Sequence, residues 1–264
     1  MFRLTREVRF AVAPDQTDAA PGASANGFAG VPPLTGLGHF FCIQATVAGA
    51  LDPASNYLLN IRDIDRVIRQ SAVPLFRRAI DQRRFGGGAS VLVELFERVR
   101  HAWPRRSLEC LRLWLSPFLS LAVNAGELPM VRLSQRFEFS ASHRLHNPAL
   151  SESANCQTFG KCSNPHGHGH NYILEVTLGG SPDAAGLVIP VPTFERIVSE
   201  TVINRFDHKN LNVELPQFRD LIPTVENIAM VIYRMLKPQF DAIKVKLAAV
   251  TVWETPKTWC EYSE

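Results

Sequence analysis

Apolar and polar positions alternate through residues 131–145, VRLSQRFEFSASHRL, with Val131, Leu133, Phe137 and Phe139 on one face. That period of two predicts a half-buried strand with His143 at its end. Residues 173–178, ILEVTL, are apolar or β-branched at most positions and stop at Gly179-Gly180, which predicts a second strand. The period then changes. Pro192 to Phe206 reads as a helix with Phe194, Ile197 and Val198 on one side, and proline is tolerated in its first turn. Thr224 is a good N-cap for a second helix reaching about Lys237, where Ile228, Val231, Ile232, Met235 and Leu236 form a core stripe and Pro238 is expected to end it. Lys244 to Trp253 and Trp259 to Tyr262 are the last two strands. In the first half, helices are predicted from Ile61 to Phe76, capped by Asn60, and from Ser90 to His101, with Leu92, Leu95, Phe96 and Val99 facing the core. Pro14 to Pro33, rich in Ala, Gly, Pro and Asp, reads as a long surface loop, and Asn124 to Pro129 as a linker.

The two halves repeat. Arg3 to Phe10 lines up with Arg132 to Phe139, Gly36 to Val47 with Gly167 to Leu178, and Leu113 to Pro117 with Val252 to Pro256. Each half reads strand, strand, helix, helix, strand, strand, which gives an α+β chain of two domains, 1–125 and 130–264. A length of 264 residues suits two such domains, and 46% hydrophobic residues supports real cores. With 28 basic and 25 acidic residues the net charge is only +3, so neither nucleic acid nor a membrane surface is expected as the main partner. Five scattered cysteines, an odd number, fit a reduced cytoplasmic protein better than a disulfide framework. The amino terminus alternates like a strand and lacks a signal-type apolar run, and no transmembrane helix is expected.

The chemistry gathers in KCSNPHGHGHNY, residues 161–172. His168 and His170 are two apart on a strand and project from one face. If the strand ending at His143 pairs antiparallel with theirs, three imidazoles meet and leave an open fourth position. That is the pattern of a catalytic zinc, whereas structural sites are closed by cysteines and this chain has no CxxC pair. His166 extends the alternation and competes as a ligand, although it reads as a loop residue; His146 is expected to be exposed. Cys162 lies in a turn beside Lys161, where exposure and nearby positive charge favour the thiolate. Asp207 precedes His208, and a carboxylate beside a histidine fixes its tautomer and raises its basicity. Glu254 stands at the end of the otherwise apolar VTVWE strand.

FSASHRL, FGKCSNPHGHGHNY, FDHKNLN, PTVENIA and VTVWETP, in that order over roughly Val131 to Glu264, resemble the 6-pyruvoyl-tetrahydropterin synthase family, which includes 6-carboxy-tetrahydropterin synthases. The resemblance implies two tandem tunnelling-fold (T-fold) domains, each an antiparallel four-stranded sheet with two helices on one face. It implies Zn2+ on His143, His168 and His170, Cys162 as a proton-abstracting base, and Asp207 and His208 as its catalytic companions. It also implies Glu254 as the anchor of a pterin's paired N–H donors, with Thr224 and Glu226 in a second pterin-contact segment. The implied reaction takes 7,8-dihydroneopterin triphosphate to 6-pyruvoyl-tetrahydropterin. The 6-carboxy product on the way to queuosine is the close alternative, and a non-catalytic zinc-binding assembly protein the alternative of another class. In the first half, Pro14 and Leu37 stand where the second has His143 and His168, Leu115 where it has Glu254, and only His39 keeps a counterpart. That half is expected to be a degenerate scaffold, with three tandem chains closing a pseudo-hexamer.

Overall fold

A computed structural model of the chain describes residues 1–13, 30–34, 36–84 and 87–264. The expected surface loop from Pro14 to Pro33 falls mostly outside the described residues. The chain divides into two compact units, residues 1–133 with 180–188, and residues 134–179 with 189–264. The architecture is α+β, with antiparallel sheet and helices in each unit.

In the first unit, strands β1 (Phe2–Val12), β2 (His39–Gly49), β3 (Ser107–Trp114) and β4 (Leu119–Asn124) are hydrogen-bonded in that order, each antiparallel to the next. Between β2 and β3 run helices α1 (Ile61–Asp81) and α2 (Gly88–Val99). Asn60 caps α1 by accepting the Arg62 N–H at 3.0 Å. Ile64, Ile68, Leu92 and Leu95 of the helices and Val8, Phe10, Ile43 and Leu111 of the sheet are buried, and Phe10 meets Phe76 of α1 edge-on. The opposite face of the sheet is polar, with Thr5 hydrogen-bonded to Thr46 and Gln44 to Glu7.

The second unit holds β5 (Val131–His143), the short helix α3 (Glu152–Phe159) and β6 (His168–Gly180). Next come α4 (Val191–Val198), a π turn at Ser199–Ile203 and α5 (Asn204–Phe206). They are followed by β7 (Lys209–Asn210), α6 (Leu211–Glu214), α7 (Val225–Ala242), β8 (Lys246–Thr255) and β9 (Thr258–Tyr262). The strand order is β5-β6-β8-β9, and β7 pairs parallel with β5 at Ala141 and Ser142. Alternate residues of β6, from Tyr172 through Leu174 and Val176 to Leu178, are fully buried. Phe194, Ile228, Ile232 and Leu236 of the helices are fully buried as well. The π turn widens the helix so that Val198, Val202 and Phe206, spaced by four, all stay buried. Phe206 packs edge-on against Phe139 and Phe218, which fixes the chain just before Asp207.

One expectation needs correction, and one element had no counterpart in the sequence pattern. Pro238 does not end α7, which continues to Ala242. Proline forfeits one backbone hydrogen bond, but the fully buried Phe240 holds the last turn in place. Helix α3 was not foreseen, because ESANCQTF carries no apolar stripe; its stability comes from the Ser151 cap and from Asn155, which is fully buried.

Candidate metal centre and its surroundings

The pleat of two strands sets the geometry. His168 and His170 share the core face of β6 with Tyr172, and His143 ends the core face of β5. The ligand nitrogens of His143, His168 and His170 lie within 4.8 Å of one another, and among the described residues this is the one His/Cys/Asp/Glu group with metal-binding geometry. Nε2 of His143 is 3.1 Å from Nε2 of His168. Register pairs Ile173 with Trp253 and Leu174 with Val252, which turns Glu254 to the same face. Its Oε1 lies 3.3 Å from His143 Nε2 and 3.7 Å from His170 Nε2.

The donor set can be tested against a cation. His143 is wholly buried, and its Nδ1 donates to the carbonyl of Pro223 at 2.7 Å. That bond leaves Nε2 as an electron-pair donor, the arrangement seen in metal-bound histidines. Burial pushes the His143 imidazole down to about 4, with His168 and His170 adding to the shift and the Pro223 carbonyl opposing it, so the ring is neutral at pH 7. His170 is also lowered, chiefly by burial and against the pull of Glu254. His143 Nε2 therefore faces another ring nitrogen and a carboxylate oxygen with no proton of its own to offer. His170 Nε2 is buried without a hydrogen-bond partner. A positive ion satisfies all of these atoms at once, so the residues fit a divalent metal.

Gly167 makes the approach of the β6 turn possible. Its φ is +69°, and a Cβ there would stand 2.9 Å from the carbonyl oxygen of His143. Gly169 is not needed in this way, since a Cβ there meets nothing closer than 3.5 Å. His166 lies exposed on the turn, outside the cluster. His146 is half-buried, not exposed as expected, because the loop after β5 folds back onto α3.

Cys162 sits half-buried in a single 3-10 turn, Gly160–Ser163, with its carbonyl accepting the Leu145 N–H at 2.9 Å. Asp207 is held on both oxygens, accepting from Ser140 N–H at 2.8 Å and lying 2.8 Å from His208 Nδ1. The Ser140 bond, then His208, holds the Asp207 carboxyl below its ordinary range. His208 has φ +58° and is exposed, and its N–H donates to Ser140 carbonyl at 2.6 Å. His208 and His170 line one open depression of about 520 Å3 together with Ser140, Asn171, Asn210 and Glu214. Among the described residues, Asp207 has Ser140 and His208 as its partners. Thr224 caps α7 by accepting the Asn227 N–H at 3.4 Å, and Glu226 is exposed in that helix's first turn.

Sequence reasoning missed Tyr172, whose buried hydroxyl is 3.4 Å from His143 Nδ1 and whose ring stacks on Phe139. Burial, then Glu254 and Cys162, raises its phenol. Tyr172 closes the HGHNY run and has the spacing of His168 and His170, so the period of two already placed it on their face. In the first unit, His39 is exposed and stacks on Phe41, and Leu115 is exposed.

The model of the family described as 6-pyruvoyl tetrahydropterin synthase matches residues 132–264. The chain is 42% identical over 126 residues to a 6-pyruvoyl tetrahydrobiopterin synthase of Pongo abelii, covering 46% of this chain and 87% of that protein. It is 27% identical over 156 residues to a 6-carboxy-5,6,7,8-tetrahydropterin synthase of Haemophilus influenzae, covering 51% of this chain and 100% of that one. The solved structure of a Caenorhabditis elegans 6-pyruvoyl tetrahydropterin synthase aligns with a TM-score of 0.49 at 35% identity, covering 52% of this chain and 98% of that one.

Proposed function

The chain belongs to the 6-pyruvoyl tetrahydropterin synthase family, and we propose that its second unit is a zinc-dependent lyase converting 7,8-dihydroneopterin triphosphate to 6-pyruvoyl-tetrahydropterin and triphosphate. The observation that carries this reading is the convergence of His143, His168 and His170 with Glu254 beside them. His143, His168 and His170 would hold a Zn2+, which would supply Lewis acidity at the side-chain hydroxyls. Cys162 takes the proton from the side-chain carbon next to the ring. The electron pair enters the ring C=N bond, the ring nitrogen takes up a proton, and the enol so formed tautomerises to a side-chain carbonyl with a proton on the ring carbon. The ring is thus reduced at the expense of the side-chain alcohol, without an external reductant. Loss of the next carbon-bound proton expels triphosphate and leaves an enol that ketonises. Asp207 and His208 move protons at the oxygens, with Asp207 fixing the imidazole tautomer.

The pterin needs a carboxylate that accepts two adjacent N–H donors. Glu254 lies beside the cluster, its Oε1 3.3 Å from His143 Nε2 and 3.7 Å from His170 Nε2. We propose Glu254 as that anchor, with Thr224 and Glu226 in a second pterin-contact segment at the start of α7. We propose that a neighbouring copy completes each site in an assembly of three chains, with the first, T-fold-like unit as scaffold. Scattered free cysteines support a cytoplasmic setting, and no helix among the described residues is long and apolar enough to cross a membrane.

The higher identity to the pyruvoyl relative favours the pyruvoyl product over the carboxy product of queuosine synthesis. Mass analysis of products from dihydroneopterin triphosphate tests this. The pyruvoyl compound with triphosphate supports the reading, acetaldehyde with the carboxy compound moves the enzyme to the alternative, and unchanged substrate with full metal makes it a zinc-holding assembly protein.

A further inference from the structure

Arg144 follows His143 directly in the chain and is held from two sides. Its N–H donates to Asn212 Oδ1 at 2.7 Å, and its carbonyl accepts from Asn212 Nδ2 at 3.0 Å. A side-chain amide thus grips both backbone groups of one residue, as a neighbouring strand would. Asn212 itself lies five residues after Asp207, on α6, and its N–H is capped by Asn210. The Arg144 guanidinium points the other way: Nε donates to the carbonyl of Ser163 at 2.9 Å, and the next residue, Leu145, donates to the carbonyl of Cys162 at 2.9 Å. Two successive carbonyls of the Cys162 turn are therefore tied to two successive residues after a metal-ligand candidate.

The turn needs such ties. Gly160 enters it with φ +56°, and a single 3-10 turn has few hydrogen bonds of its own. An ion pair does not explain the arginine. Glu152 lies 3.5 Å from Nη2 and is 72% exposed, a contact worth little in water, whereas the Arg144 side chain is only 24% exposed. The charge-assisted bond to a carbonyl is the contact that uses the guanidinium.

We propose that Arg144 is a positioning residue that fixes the Cys162 thiol against the His143 end of β5, with Asn212 linking that clamp to the Asp207–His208 segment. This rests on the assignment of Cys162 as a base. Neither side chain needs to touch the substrate. A misplacement near 1 Å can cost about 100-fold in rate.

The test compares Arg144→Ala, Arg144→Lys and Asn212→Ala in the full-length, metal-loaded chain. Four readouts are taken: metal content, kcat and KM, the rate of Cys162 alkylation by iodoacetamide, and rescue by millimolar guanidinium. Loss of kcat of about 10- to 100-fold with KM within about twofold, unchanged metal content, altered alkylation, and partial recovery of Arg144→Ala by guanidinium but not by methylammonium support the clamp. Wild-type kcat and alkylation in the variants overturn it, as does a loss that tracks missing metal and resists rescue. If Arg144→Ala does not fold, Arg144→Lys decides, since it keeps the charge without the Nε–H. If the wild-type chain does not turn over dihydroneopterin triphosphate, the functional reading fails, while the alkylation rates still decide the clamp.

Discussion

Pro223 and His143 are joined by the 2.7 Å bond that decides which nitrogen of the buried ring faces the cluster. A backbone carbonyl only accepts, so Nδ1 carries the proton and Nε2 is free to bind a cation. The ring is neutral in the fold because burial pushes it down to about 4 from an ordinary 6.5. The unfolded chain takes up this proton below pH 6.5, the folded chain only near 4. Stability from this group is therefore complete above pH 6.5 and lost as pH falls towards 4. The metal-free protein should lose up to about 3 kcal/mol across that window. Urea titrations at pH 7 and pH 4.5 check this, and His143→Ala should flatten the difference.

Cys162→Ala should keep its metal and its fold yet lose about 10²–10⁴ in kcat, the usual scale for removing a positioned base. Metal analysis and steady-state kinetics on the same preparation separate the two effects. An unchanged kcat would remove Cys162 from the chemistry.

Asp207→Asn should lower kcat by about 10- to 100-fold. The amide no longer stabilises a charged His208, and its NH2 end cannot accept the Ser140 N–H that now holds Oδ1 at 2.8 Å. His208→Asn should give a similar loss without adding to it, because the two residues act as a unit. A double-mutant cycle measures that coupling.

Gly167→Ala places a Cβ 2.9 Å from the His143 carbonyl oxygen at a φ of +69°. The strain should cost about 1–3 kcal/mol and weaken metal binding with it. Gly169→Ala, where the nearest atom is 3.5 Å away, should leave stability within about 0.5 kcal/mol of wild type. Parallel thermal melts and metal titrations of the two variants check the contrast.

The histidine cluster was legible because two short periods pointed at it: alternation put His168 and His170 on one face, and the apolar run of β5 delivered His143 to its end. Other parts were not legible for definite reasons. The Pro223 carbonyl comes from a loop 80 residues from His143, and no local pattern encodes that approach. The strand pattern of VTVWE placed Glu254 at an end but could not say whether it turned outward or onto the rings. Helix α3 was hidden because a buried Asn155, bonded to the Asn147, Leu150 and Ser151 carbonyls, does the work an apolar stripe usually does.

The most direct measurement is metal analysis of the purified chain combined with X-ray absorption at the zinc edge. The account predicts one zinc per chain, not two, bound by three imidazole nitrogens at about 2.0–2.1 Å, and loss of that ion in His168→Ala. A chain that neither carries nor takes up a divalent ion, or one whose bound zinc survives removal of His143, His168 and His170, would contradict it.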